Sequence, residues 1–243
     1  MTAPLGITRF LNAAFGGVVA SAMHAMGLKA DPATVIGNTF AVELIIAGGL
    51  IAFFLVVRLT LSVEKPGPAQ QIAELIHNFV GGQAESVIGH GYERFQAFIT
   101  CVGLFIVLNN LAGLIPGVQA PTSVPFVPLG VALLAFIYYN YHGLRVNGFV
   151  GYLKQFAGPV WWLIPLLFPI EIVSHLARVM SLTIRLYANM FAGDQVTLVF
   201  FSLFPVALPA VFMGMHFFVS LIQAFVFMLL TTIYLSLAVS HDH

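Results

Sequence analysis

Long apolar runs divide the chain into segments that predict membrane-spanning helices. The first clear span covers Asn38–Leu59, which is enough to cross a hydrocarbon core about 30 Å thick. Two further spans are predicted at residues 95–115 and 124–142, with a loop rich in proline and glycine between them. Residues 62–94 differ, because charged residues interrupt their apolar positions at helical spacing. That pattern is typical of an amphipathic helix lying on the membrane surface.

The carboxy-terminal third is longer than two perpendicular spans require. Residues 160–204 are apolar with four charges among them, and residues 206–240 contain no Asp, Glu, Lys or Arg. At about 1.5 Å per residue the second run alone would extend roughly 50 Å, whereas a perpendicular span needs about 20 residues. Pro205, between the two runs, favours a turn. We therefore predict that residues 160–240 form a long, strongly tilted helical hairpin.

The first 37 residues contain no span as clear as those that follow. They do not resemble a signal peptide, since Arg9 is the only early positive charge and Gly16 and Gly17 interrupt the apolar run. An interfacial amphipathic helix and a retained anchor both fit this segment. The predicted organisation is an amino-terminal interfacial segment, 1–37, followed by a polytopic membrane domain, 38–243. The predicted fold is all-α, with about five membrane helices, the amphipathic surface helix and the tilted hairpin.

Composition excludes several classes of protein. Hydrophobic residues make up 60% of the chain and charged residues only 7%, against roughly 25% charged residues in a soluble domain. A soluble enzyme and a disordered chain are both excluded by these values. Nine basic residues balance nine acidic ones, so the chain lacks the basic face that nucleic acid would need. The single Cys101 can form neither an internal disulfide nor a thiolate metal site, and we expect no cofactor and no metal.

Basic residues predict the orientation in the membrane. They cluster in the loops on either side of the pair of spans at 95–115 and 124–142, whereas the proline-rich loop between those spans has none. Because loops rich in Lys and Arg stay in the cytoplasm, both basic loops are predicted to be cytoplasmic. The amino terminus then faces the periplasm and the carboxy terminus the cytoplasm, in a bacterial inner membrane.

Polar residues repeat along the first helix of the predicted hairpin. Glu171, Arg178 and Arg185 are spaced seven residues apart, so they lie near one face of a helix. Each ionisable group at mid-membrane costs about 2.5–3.5 kcal/mol, and such groups persist only if they are paired, hydrated or functional. Further polar residues continue this face or form a matching one on the second helix: His175, Ser181, Asn189, Asp194, His216, Ser220 and Gln223.

A structural explanation competes with a functional one. Polar stripes hold membrane helices together, and an arginine near a helix end can reach the interface. This explanation suffices for Arg178 and His175 taken singly, so they are minor candidates, together with Ser181 and Ser220. Ion translocation explains the remaining set better, and its members are Glu171, Arg185, Asn189, Asp194, His216 and Gln223.

The chemistry of this set predicts a cation beside a proton path. Arg185 can act only as a fixed positive charge, because guanidinium groups do not deprotonate in proteins. Glu171, Asp194 and His216 can exchange protons with a hydrated path. Since no second deep acid lies in this chain where a carrier would be needed, we expect the carboxylate that meets Arg185 to belong to another subunit.

These residues carry a resemblance to a known family. The segment 181–193 reads SLTIRLYANMFAG, is followed by Asp194, and resembles the signature of subunit a of bacterial F-type ATP synthases. Glu171 lies fourteen residues before Arg185, as in that family. Residues 216–237, HFFVSLIQAFVFMLLTTIYLSL, and 109–116, NNLAGLIP, are also similar to it.

The resemblance implies a stator that faces a ring of c subunits and contacts the b subunits of the peripheral stalk. In that family the arginine separates two offset aqueous half-channels through which protons reach and leave the ring carboxylates. The resemblance assigns Glu171, Asp194 and His216 to the outer half-channel, and places Asn189 and Gln223 near the arginine. Proton flow then drives rotation and ATP synthesis elsewhere in the complex, so the chain itself is not an enzyme. The coupled ion stays open between H⁺ and Na⁺, of which we expect H⁺.

Two other functions are weaker alternatives. A secondary transporter usually contains internal repeats around a central site, and the two halves of this sequence show none. A purely structural membrane scaffold would leave the ionisable stripe unexplained.

Overall fold

The computed structural model describes residues 6–27, 31–115, 117–157, 164–203 and 207–239. In these ranges the chain is helical, without a strand. The prediction of an all-α membrane protein is therefore confirmed. A short 3-10 turn, Pro121–Ser123, separates the fourth and fifth of the α-helices. The helices are α1 (Gly6–Ala25), α2 (Asn38–Leu59), α3 (Pro68–Ile88), α4 (Glu93–Ala112), α5 (Phe126–Ala157), α6 (Ile164–Leu203) and α7 (Ala207–Val239).

Four of the described helices are long and apolar enough to cross a membrane. They are α2, α4, most of α6 (Ile164–Ser202) and most of α7 (Ala210–Val239). The predicted span at 124–142 forms the first half of α5, but α5 is not among the four. Its apolar run ends in tyrosine, asparagine and histidine at 138–142, which lowers its hydropathy. Residues of this kind are common where a helix meets the membrane interface.

The predicted surface helix corresponds to α3. It begins at Pro68, where the missing N–H costs nothing, and ends before Gly89, whose φ of 75° suits a helix terminus. One face of α3 packs on α4 and α7 through Val80 and Ala84, while the opposite face leaves Leu75 exposed. The amphipathic character of this segment is thus used in packing against other helices. Its placement on the membrane surface stays a prediction.

The amino-terminal helix α1 is attached to the start of α2 by polar contacts. The Asn12 amide donates to the Ile36 carbonyl at 3.0 Å and accepts from the Ile36 N–H at 2.9 Å. The Thr8 hydroxyl donates to Asn38 at 2.8 Å. Helix α1 is not among the four candidate spans, and the boundary between the interfacial segment and the membrane domain stays a prediction.

Helices α6 and α7 form the predicted long hairpin. They contain 40 and 33 residues, which correspond to about 60 and 50 Å of helix. Their contacts pair Arg178 with Tyr234 and Asn189 with Gln223, so the two helices are antiparallel. The predicted turn at Pro205 lies outside the described residues. A hydrocarbon core is only about 30 Å thick, so helices of this length fit it most simply when tilted.

The core lies between the hairpin and helices α4 and α5. Ile106 of α4, Ala132 of α5, Leu186 and Met190 of α6 and Phe227 of α7 are buried together in it. Only one side of α6 is used in this packing, and apolar residues such as Val173 and Met180 remain exposed on the other. The fold therefore presents one long face of α6 to the outside of the molecule.

Candidate ion-translocation site on the carboxy-terminal hairpin

Arg185 lies on the exposed side of α6. Its Nη2 donates to the Ser181 hydroxyl one turn earlier, at 3.4 Å, which is a long hydrogen bond. Among the residues that the structure describes, no carboxylate lies within ion-pair distance of this guanidinium. The charge of Arg185 is therefore not neutralised within the described part of the chain.

The surface of α6 around Arg185 consists largely of small side chains. Ala177, Ser181, Ala188 and Ala192 are all exposed, and their spacing places them on the same face of the helix as Arg185. Small residues allow the backbone of a second helix to approach closely within a membrane. We call these five residues the Arg185 face.

A hydrogen bond joins α6 to α7 one turn beyond Arg185. The Asn189 amide donates to the Gln223 side-chain oxygen at 2.7 Å. Gln223 is buried, whereas Asn189 lies at the edge of the Arg185 face. These two residues, which the resemblance placed near the arginine, therefore fix the position of α7 beside it. Ser220, one turn away on α7, directs its hydroxyl toward the Met190 sulfur at 3.7 Å and contributes to packing.

Asp194, which is partly buried, and His216, which is buried, form a pair further along the hairpin. The His216 Nδ1 lies 3.9 Å from an Asp194 carboxylate oxygen, and the side chains are only 4% and 12% exposed, respectively. Gly193 allows this arrangement, since a Cβ at that position would lie 2.7 Å from His216 Nδ1. Among the described residues, the second Asp194 oxygen and His216 Nε2 have no hydrogen-bond partner. Both atoms are buried, and each keeps a hydrogen-bonding position that no described residue fills.

The Pro121–Ser123 turn covers the Asp194 carboxylate. The Ser123 hydroxyl and the Ala120 backbone face this carboxylate, and the turn packs against α6. The turn is held in place by Asn110 of α4, which accepts a hydrogen bond from Thr122 at 2.6 Å and donates to the Ser220 carbonyl at 3.3 Å.

None of these three polar residues, Asn110, Thr122 and Ser123, was a site candidate from the sequence. Each lies in or next to a proline-rich loop, where polar residues are expected anyway. The repeated asparagines at 109–110, at the end of an apolar span, were the one available signal.

A second polar cluster lies near the start of α6. Glu171 is 3.3 Å from His175 Nδ1 and 3.6 Å from Arg178 Nη2. The Arg178 guanidinium also lies over the Tyr234 ring of α7, 5.2 Å from its centre. Arg178 and His175 are therefore partners of Glu171, and Arg178 also connects the two helices of the hairpin.

Glu171 and Asp194 lie on opposite sides of Arg185 along α6. Glu171 precedes Arg185 by fourteen residues and Asp194 follows it by nine, which correspond to about 21 and 14 Å of helix. The resemblance assigned Glu171 to one half-channel with Asp194 and His216. Because the arginine lies between them along the helix, we propose separate half-channels for them under the proposed function. The structure defines two clusters, which we call the Glu171 cluster (Glu171, His175 and Arg178) and the Asp194 cluster (Asp194, His216 and Ser123).

The fold and the site together define a multi-pass membrane protein that keeps ionisable groups inside its longest membrane helices. Comparison with known families identifies the family of this membrane protein. The model of the family described as ATP synthase A chain matches residues 40–236, and the chain therefore belongs to the ATP synthase subunit a family. As a member, it is a non-catalytic membrane subunit of the ATP synthase membrane sector, the part associated with proton transport.

Relatives named ATP synthase subunit a agree with this assignment. The protein of Koribacter versatilis is 53% identical over 240 residues, which cover 98% of each chain. That of Solibacter usitatus is 48% identical over 206 residues, covering 85% of this chain and 88% of the relative. That of Bdellovibrio bacteriovorus is 44% identical over 173 residues, covering 71% and 75%. The resemblance found in the hairpin thus extends over nearly the whole chain.

Proposed function

We propose that the chain is the stator that conducts protons to and from carboxylates on a ring of c subunits, through two offset half-channels separated by Arg185. The flow drives rotation of the ring and thereby ATP synthesis. One observation carries this proposal: Arg185 has no carboxylate partner among the described residues, lies on an exposed face of small side chains, and stands between two clusters that each contain one acid.

The exposed Arg185 guanidinium favours the ionised state of a carboxylate that approaches it. An ionised carboxylate is costly in lipid and is stabilised beside a guanidinium, whereas a protonated one can move through lipid at lower cost. A ring carboxylate therefore loses its proton where it faces Arg185 and must regain one before it moves on. The small residues of the Arg185 face let the ring helix come close enough for this exchange.

The two clusters supply and remove the proton on opposite sides of Arg185. With the carboxy terminus in the cytoplasm, α6 runs from the cytoplasmic to the outer side, and the Asp194 cluster belongs to the outer half-channel. The Pro121–Ser123 turn beside it lies in the loop that contains no Lys or Arg. The Glu171 cluster then belongs to the cytoplasmic half-channel. One charge crossing 100 mV releases about 2.3 kcal/mol, so several protons are needed for each ATP.

The partners follow from this role. The c ring would contact the Arg185 face, and the family resemblance adds the b subunits of the peripheral stalk. The membrane is the bacterial inner membrane, with the amino terminus in the periplasm, and the ion is H⁺ rather than Na⁺.

Replacement of the cation tests the proposed function. In membrane vesicles that contain the whole complex, Arg185→Ala is expected to reduce ATP-driven proton pumping to background, because protons can then pass between the two paths without rotation. Arg58→Ala serves as the matched control, since it removes an exposed arginine in the last turn of α2, outside both clusters, and should leave pumping near the wild-type rate. Pumping in Arg185→Ala near the wild-type rate, in an assembled complex, would refute the proposal.

A further inference from the structure

Glu43 is an acid that the proposed proton path does not yet use. It lies five residues after the start of α2, a helix in which the only other charge is Arg58 in the last turn. The Glu43 side chain is half-buried, and its buried Oε1 has no hydrogen-bond partner among the described residues. An ionisable group at such a position is retained when it is paired, hydrated or functional.

Glu43 opens onto a groove between α2, α4 and the start of α5. The groove has a volume of about 410 Å³, which is room for several water molecules at roughly 30 Å³ each. Its walls are mostly apolar, and among the described residues that line it Thr39 and Glu43 have the polar side chains. Representative lining residues are Thr39 of α2, Phe105 of α4, and Val124, Val127 and Val131 at the start of α5.

The inner end of this groove adjoins the turn that covers Asp194. Val124 lines the groove and directly follows the Pro121–Ser123 turn, which also contacts α2. The turn also packs against α6, where Ser123 lies beside Asp194. Glu43 and Asp194 thus both lie near the same short turn, at the same end of the helix bundle.

We infer that Glu43 collects protons at the outer mouth of the half-channel that leads past Ser123 to Asp194 and His216. The Glu43 carboxylate accepts a proton from water on the outer side and forms an O–H bond. It then releases that proton to water in the groove and returns to the ionised state. Nothing is oxidised or reduced, and the net result is the transfer of one proton toward Asp194. This inference rests on the proposed function.

The test removes the titratable group and keeps its shape. In vesicles that contain the whole complex, Glu43→Gln is expected to lower the rate of proton-driven ATP synthesis by roughly tenfold, because water alone then supplies the groove. That is less than the roughly 100-fold or larger loss expected for an essential proton-transfer group. Glu43→Asp is expected to restore most of the rate. Glu93→Gln, the same change on an exposed residue in the first turn of α4, is expected to have no effect.

The outcomes separate this inference from the proposed function. A wild-type rate in assembled Glu43→Gln complex overturns the inference. Failure of Glu43→Gln to assemble also overturns it, since the residue would then have a structural role. If Arg185→Ala abolishes pumping in the same vesicles while Glu43→Gln does not slow synthesis, only the inference fails. If Arg185→Ala pumps normally, the proposed function itself fails.

Discussion

The position of His216 depends on the absence of a Cβ at Gly193. The His216 imidazole lies directly against the α6 backbone at Gly193, where an added Cβ would lie 2.7 Å from Nδ1 and 2.9 Å from Cε1. Contacts this short cannot persist, so the ring would have to move away. The separation of His216 and Asp194, already 3.9 Å, would then increase.

The prediction at this scale is that Gly193→Ala slows proton pumping without preventing assembly. The displaced His216 ring would no longer pair with Asp194, and we expect a loss of roughly tenfold, since a proton-transfer group would be misplaced rather than removed. Gly214→Ala on α7 is the control, because a Cβ there meets no atom within 4 Å. The measurement is ATP-driven acidification of vesicles, normalised to the amount of complex. Equal rates for the two variants would show that the position of His216 does not matter.

At the scale of elements, a few buried polar contacts make the packing of the apolar helices specific. Asn110 is the clearest case, since this fully buried side chain links α4 to the turn through Thr122 and to α7 through the Ser220 carbonyl. Asn109, beside it and equally buried, donates among the described residues only to the Phe105 carbonyl within its own helix. The two asparagines therefore form a natural pair for comparison.

We predict that Asn110→Ala destabilises the protein more than Asn109→Ala. Loss of Asn110 leaves the buried Thr122 hydroxyl without its acceptor, which costs about 1–3 kcal/mol, and also removes the contact with the Ser220 carbonyl that links α4 to α7. Loss of Asn109 frees only a carbonyl that its own helix can satisfy. Thermal unfolding of the detergent-solubilised complex measures the difference, and the lower unfolding temperature should belong to Asn110→Ala. The opposite order would contradict the connecting role of Asn110.

The positions of the helices along the chain were more predictable than the helices against which each one packs. The span at Asn38–Leu59 was predicted with the bounds that the structure has, because a largely apolar run of twenty-two residues with only two charges leaves few alternatives. The packing of α3 on α4 and α7 was not predicted, since the amphipathic pattern that suits a membrane surface also suits a helix with one packed face. The same limit applies to the site. Asp194 and His216 were predicted as site residues, but Ser123 beside them lies in a loop far away in sequence, with no periodicity to identify it.

At the scale of the whole molecule, the spacing along α6 decides how the charges work together. Glu171 and Asp194 are separated by about 35 Å along α6, and the tilt of the helix makes their separation across the membrane smaller than this. Arg185 lies between them on an exposed face. Our account therefore requires one half-channel at each end of α6, opening to opposite sides of the membrane.

Access from each side of the membrane tests this central claim most directly. Single cysteines would replace Ser123, beside Asp194, and His175, beside Glu171, in a Cys101→Ser background that removes the native exposed thiol. The account predicts that a small, membrane-impermeant thiol reagent modifies the cysteine at position 123 only from the periplasmic side. The cysteine at position 175 should react only from the cytoplasmic side. Modification of both positions from the same side of the membrane would contradict the account.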